Sequence, residues 1–124
     1  MTDTTDRSCI FCKIVRGEIP ATKVYEDDDV LAFPDIRPQA PVHILIIPKV
    51  HVATLYDATA AHQAALGKML AVAGRLAREA GARDGFRTII NNGRVGHQEV
   101  YHVHMHVLGG PQPLGPMLQR QSKG

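Results

Sequence analysis

Three histidines alternate with apolar residues in His102-Val103-His104-Met105-His106-Val107, and Leu108-Gly109-Gly110 follow. Successive side chains of a strand point to opposite faces, so the imidazoles share one face while Val103, Met105 and Val107 share the other. Neighbouring imidazoles then stand roughly 7 Å apart. At that spacing all three can address one ligand, or one can hold a metal while the others do chemistry. A neutral imidazole is a competent nucleophile towards activated phosphorus, and the N–P bond it forms is labile enough for water to finish the reaction. Such a double displacement needs one ring with its lone pair aimed at phosphorus, donors for the phosphate oxygens and an acid for the leaving group. The plain alternative is a half-buried strand with a polar face. Histidine serves that purpose poorly, because its charge changes near neutral pH and its two nitrogens need different partners.

The elements that must hold this stretch read as short strands, turns and one long helix. Residues 9–15 predict a short helical segment with Ile10, Phe11 and Ile14 apolar, broken by Gly17-Glu18-Ile19-Pro20. Residues 23–26 and 30–33 predict two strands around an Asp27-Asp28-Asp29 turn, a solvated turn without a catalytic role. Three prolines make residues 34–41 a loop. Residues 42–48 form the most apolar strand, central in its sheet and closed by Pro48. Residues 58–80 switch to helical spacing, with Ala65, Met69, Ala73, Leu76 and Ala80 on one face and Lys68, Arg75 and Arg78 towards solvent. Gly81 stops that helix. Residues 87–90 form another strand, running into the turn Asn91-Asn92-Gly93-Arg94-Val95-Gly96, where backbone can approach a ligand closely. Hairpins with a long helix between them predict an α+β domain, an antiparallel sheet of about five strands with one long and one short helix.

A chain of 124 residues makes one domain, 1–124, with a flexible N-terminus at 1–7 and a Gly/Pro-rich tail at 111–124. Its net charge of +2 is too weak, and its basic residues too dispersed, to indicate nucleic-acid binding. No apolar run approaches the ~20 residues that span a membrane, and residues 1–7 lack the apolar core of a signal peptide, so the expected location is the cytoplasm. In that reducing compartment Cys9-x-x-Cys12 points to metal or redox chemistry more than to a disulfide, although two ligands do not make a site.

The alternating histidines, with Gln98-Glu99-Val100-Tyr101 before them and Val107-Leu108-Gly109-Gly110 after, resemble the signature of the histidine-triad (HIT) superfamily of nucleotide hydrolases and transferases. The likeness extends over nearly the whole chain and is strongest to the bacterial type of its Hint branch, the purine nucleoside phosphoramidases. It implies a HIT-like fold and cleavage of the P–N bond of adenosine 5′-phosphoramidates, with aminoacyl adenylates as a second candidate substrate. The middle histidine, His104, would carry the nucleotidyl group, and His106 would contact the phosphate or leaving group. His102 completes the triad, and His43 matches a further supporting histidine; taken alone, His43 reads as an ordinary strand residue. Asp35-Ile36 matches the ribose-binding position, where a carboxylate accepts from both hydroxyls. Phe11, Ile14 and Phe33 match an apolar slot for the base, though each reads equally as core. Asn91, His97, Gln98, Glu99 and Val100, with His104 and His106, match positions around the α-phosphate and its leaving group.

The resemblance also implies a structural zinc site. Cys9 and Cys12 would be joined by His51 and His102 in a closed Cys₂His₂ set that positions the triad strand by rigidity, with no catalytic cofactor. It further implies a homodimer with the long helix and part of the sheet at the interface. Two positions depart from the family pattern. His97 stands where many members have a second glycine, so its Cβ restricts backbone approach to phosphate. Glu99 stands where animal members carry serine, and its charge repels phosphate unless it meets a cationic leaving group, so Glu99 is expected to tune leaving-group preference. The competing functions are a dinucleoside polyphosphate hydrolase of the same superfamily, a non-catalytic nucleotide sensor or scaffold, and a metal-binding module. That last reading leaves the Asp35 loop and the Asn/Gly turn unexplained.

Overall fold

β3, Val42–Pro48, is buried at every position, because both of its faces are covered. The computed structural model describes residues 8–118, so the expectations for residues 1–7 and for the end of the tail lie outside the described residues. β1 (Tyr25–Glu26), β2 (Val30–Pro34), β3, β4 (Phe86–Ile90) and β5 (Met105–Gly109) form one sheet in the order β1-β2-β3-β5-β4. Every pairing is antiparallel. α1 (Ile10–Val15) covers one face and α2 (Gln63–Glu79) the other. No described helix is long and apolar enough to cross a membrane.

Strand alternation divides the core in two. Val30, Ala32, Val42, Ile44 and Ile46 pack with Val103, Met105 and Val107 against Met69, Val72, Ala73, Leu76 and Ala77 of α2. Leu31, Phe33, Leu45 and Ile47 point the other way, onto Cys9, Phe11, Cys12 and Ile14. Burial of this kind contributes about 25 cal/mol per Å², so the two apolar layers hold the sheet from both sides. The histidines of the alternating motif lie on the α1 face.

Several boundaries differ from the sequence reading, each for a local reason. The triad ladder starts at Met105, not at His102. The preceding backbone bonds elsewhere: the Val103 amide donates to Val52 O at 2.8 Å and the His102 amide to Val100 O at 2.9 Å. The alternation of buried and polar sides survives, since Val103, Met105 and Val107 are all fully buried. α2 starts at Gln63 because two short 3₁₀ turns, Leu55–Asp57 and Ala60–His62, precede it, each opened by a threonine N-cap. The Thr59 amide donates to His62 Nδ1 at 2.9 Å, which completes the capping box at the start of the second turn. Ala80 caps α2 and is exposed, so the buried stripe ends at Ala77. β1 is only two residues long, although the Val24 amide still reaches Ala32 O at 2.9 Å. The aspartate turn is structural: Asp27 Oδ1 accepts from the amides of Asp29 and Val30 at 2.7 and 3.0 Å.

Candidate functional site

Two clusters of histidines lie on the α1 face, and Phe11 touches both. Its ring meets His102 edge-on at 5.9 Å between centroids and His104 at 5.1 Å.

The first cluster is Cys9, Cys12, His51 and His102, all buried, with Cys12 and His102 wholly so. Cys9 sits at the N-cap of α1, so its Sγ accepts the Cys12 amide at 3.2 Å and both sulfurs face the same side. His102 Nδ1 lies 3.3 Å from Cys9 Sγ, 3.5 Å from Cys12 Sγ and 3.2 Å from His51 Nδ1, and Cys12 Sγ lies 3.2 Å from His51 Nδ1. A tetrahedral zinc with bonds of ~2.0–2.3 Å sets its ligand atoms roughly 3.3–3.8 Å apart, so this set fits that ion. The tautomer fits too. His102 Nε2 donates to Pro48 O at 2.7 Å, which turns the Nδ1 lone pair into the cluster. Both nitrogens of His102 are therefore engaged away from His104 and His106. The expectation that three imidazoles converge on one ligand, with His102 among the catalytic groups, is corrected to two.

The second cluster is built across strands. β3 and β5 pair His43 with Leu108 and Leu45 with His106, which makes His43 and His106 diagonal neighbours on one face. His43 Nε2 lies 2.9 Å from His106 Nδ1 and 3.3 Å from Asp35 Oδ2. The loop before β3 directs this: the Gln39 amide donates to His43 Nδ1 at 2.9 Å, and the Arg37 amide donates to Asp35 Oδ1 at 2.8 Å. The partners assign the protons. His43 Nδ1 accepts, so its proton is on Nε2 and is donated to His106 Nδ1. The His106 proton is then on Nε2. His104 Nδ1 donates to His102 O at 2.9 Å, which leaves a lone pair on His104 Nε2. The His104 and His106 rings are 5.1 Å apart.

Electrostatics keep His106 and His43 neutral. Burial pushes His106 down to about 4, helped by His104 and His43 and opposed by Asp35 and Glu99. Burial likewise lowers His43, against the pull of Asp35. The arrangement offers one imidazole lone pair, at His104 Nε2, beside one N–H donor, at His106 Nε2. A neutral donor beside a nucleophile suits attack on an electrophilic centre carrying anionic oxygens.

The other candidate residues fall into different surroundings. Phe11, Ile14 and Phe33 are only 6–7% exposed and belong to the α1-side core, with Phe11 and Phe33 in edge contact at 5.9 Å. Ile36 beside Asp35 is 93% exposed. Gln98 is buried and acts as a clamp: Oε1 accepts the Gly93 amide at 2.8 Å, and Nε2 donates to Ala53 O and Val100 O at 2.6 and 2.9 Å. Its side-chain amide is taken up in shaping the loop. His97 is the sole non-glycine among the described residues at positive φ, +62°, and its side chain is exposed. At Gly96 a Cβ would meet Asn92 O at 2.5 Å, so that turn admits no side chain. Asn91 and Val100 are half-buried, and Glu99 is exposed. The Gln39 amide and the Pro48 and Val52 carbonyls take part as backbone atoms, which leave no signal in residue type.

Residues 16–112 match the HIT domain family. The chain is 58% identical over 110 residues to a protein named purine nucleoside phosphoramidase from Escherichia coli strain K12, covering 88% of this chain and 92% of that protein. It is 53% identical over 113 residues to a Zea mays protein named 14 kDa zinc-binding protein, covering 90% and 88%. The crystal structure of a HIT family hydrolase from Legionella pneumophila superposes with a TM-score of 0.81 at 51% identity, over 87% of this chain and 97% of that one.

Proposed function

The chain belongs to the HIT domain family, and from that premise we propose that it is a nucleotide-binding hydrolase that cleaves the P–N bond of adenosine 5′-phosphoramidates through a nucleotidyl-His104 intermediate. The observation that carries this is the bond from His104 Nδ1 to His102 O, which aims an imidazole lone pair into the site beside the His106 donor. His104 Nε2 attacks the α-phosphorus as the P–N bond breaks. The amine leaves with a proton taken from water. A second water then attacks phosphorus and restores His104 as AMP departs. His106 stays neutral and gives its Nε2–H as a hydrogen bond to a phosphate oxygen, where negative charge gathers. His43 holds that tautomer and so positions His106.

Nucleotide recognition is assigned around this pair. Asp35 receives the ribose hydroxyls, with Ile36 beside it. Phe11, Ile14 and Phe33 back the base from the core, and the turn bearing Asn91, His97, Glu99 and Val100 borders the phosphate and leaving group. Cys9, Cys12, His51 and His102 hold zinc, in keeping with the name of the Zea mays relative. That ion supplies rigidity: it ties α1 to the chain that precedes β5, and with it to the carbonyl that orients His104. A homodimer through α2 and β4 and a cytoplasmic location belong to the same reading; β4 pairs with β5 alone among the described strands, and Leu70 of α2 is 61% exposed. A monomeric mass at working concentration counts against the dimer.

The test is intact-mass trapping with a slowly cleaved adenosine phosphoramidate, followed by peptide mapping. The expected adduct adds one adenylyl group, and it maps to His104. An adduct on another residue, or turnover without any adduct, removes the proposed intermediate.

A further inference from the structure

Asp35 stands at the open end of the His43–His106 pair. Its Oδ1 accepts from the Arg37 amide, which fixes the direction of the side chain. Its Oδ2 lies 3.3 Å from His43 Nε2, and its side chain keeps 19% of its surface exposed, against 2% for His43. The carboxylate therefore has one side in the buried relay and one side open to a ligand. His43 Nε2 carries a single proton, and two acceptors face it: His106 Nδ1 at 2.9 Å and Asp35 Oδ2 at 3.3 Å. The imidazole nitrogen is nearer, but the carboxylate is charged and is the stronger acceptor. The balance between them sets how firmly His106 Nδ1 is held as an acceptor, and hence how firmly its other nitrogen is held as a donor.

We propose that Asp35 is a positioning residue as well as the ribose ligand, and that ribose hydroxyls bound to its carboxylate release the His43 proton to His106. This rests on the nucleotide-hydrolase reading above. A hydroxyl that donates to Oδ2 satisfies part of that oxygen's charge and weakens its claim on the neighbouring proton. The bond from His43 to His106 then dominates, His106 presents its Nε2–H to the phosphate, and the site is complete only when a ribose is seated. Without the hydroxyls the carboxylate competes for that proton from 3.3 Å, and the 2.9 Å bond to His106 holds its tautomer less firmly. Sugar recognition thus acts on turnover and not on affinity alone. The charged and titratable neighbours of His106 are His104, His43, Asp35 and Glu99, and Asp35 is the one that a ribose would cover.

Two measurements test this, and one is independent of turnover. Imidazole ¹⁵N spectra of the full chain are recorded with AMP and with 2′,3′-dideoxy-AMP. AMP is expected to move His106 Nδ1 towards the acceptor position and the dideoxy nucleotide to move it far less. Steady-state kinetics are compared for adenosine and 2′,3′-dideoxyadenosine phosphoramidates on the native chain and on Asp35→Asn. The native chain is expected to lose about tenfold in kcat on the dideoxy substrate, the scale of one hydrogen bond. In Asp35→Asn the uncharged amide competes weakly, and the kcat difference between the sugars shrinks below about twofold. A dideoxy effect confined to KM overturns the proposal. So does a His106 signal that responds equally to both nucleotides, or to neither. If no phosphoramidate turns over, the hydrolase reading fails, while the two nucleotide spectra still decide the relay.

Discussion

His102 and His104 are two residues apart and share the edge of one Phe11 ring, yet they serve opposite ends of histidine chemistry. In the first cluster His102 Nε2 donates to the Pro48 carbonyl, so the lone pair on Nδ1 points at two sulfurs and a second imidazole. In the second cluster the Gln39 amide donates to His43 Nδ1, so the inward nitrogen carries a proton. Asp35, His43 and His106 also bring three potential ligand atoms within 4.8 Å of one another. The proton on His43 Nε2 opposes a cation there and favours a hydrogen-bond relay. A carbonyl behind an imidazole prepares a metal ligand, and an amide behind one prepares a proton donor.

The largest expected effect lies in the second cluster. His104→Asn is expected to lower kcat by at least about 10³-fold, because it removes the imidazole lone pair that the His102 carbonyl leaves on Nε2. AMP binding, measured by calorimetry, should remain within a few-fold, and the melting temperature should fall only slightly. Loss of binding in step with activity would mean that His104 holds nucleotide instead of reacting with it. Cys12→Ser inverts the pattern. It should lose bound zinc and lower the melting temperature by roughly 10 °C or more, since a structural ion contributes directly to folding. Elemental analysis of the native chain should return one zinc per chain. Two per chain would break the contrast between the clusters, and none, with both thiols titratable, would remove the metal centre.

The same contrast shows what could be read without a structure. The alternation at Val103, Met105 and Val107 marks the buried face, and six apolar residues out of seven mark the central strand, because burial acts on side-chain type. The start of β5 was misread because the backbone at residue 103 bonds to Val52, a partner no local pattern announces. The start of α2 was misread because Thr59 and His62 cap a 3₁₀ turn of their own. At the site, the residue types of both clusters were legible. Their wiring was not, since Pro48 and Gln39 act through a carbonyl and an amide that every chain possesses. The position of Gln98 in the motif does not announce that its side-chain amide bonds to three backbone groups of the loop.

A smaller effect concerns acid. An ordinary histidine, as in the unfolded chain, takes up a proton near pH 6.5, whereas His106 in its folded surroundings refuses it until about pH 4. Between those values the unfolded state binds more protons, so stability falls as pH drops through that window and is unaffected above it. The ring carbon proton of His106, followed by NMR, should show no titration near pH 6.5. Titration there would mean that burial does not hold the ring neutral.

Glu99 offers the finest test, because it probes the second cluster from outside. The carboxylate is exposed, and its charge favours protonation of His106, so it lies close enough to act on groups at the phosphate. A negative charge there disfavours an anionic or neutral leaving group relative to a cationic one. Glu99→Ser is expected to lower the rate ratio of a phosphoramidate with a cationic side chain to one with a neutral alkyl chain by about threefold. An exposed charge acts through solvent, so the native ratio itself should shrink as salt rises from 0.1 to 1 M and the screening length contracts from ~10 to ~3 Å. A ratio unchanged by the substitution would sever Glu99 from leaving-group choice. A ratio changed by the substitution but indifferent to salt would mean direct contact between the carboxylate and the amine, not a field felt across water.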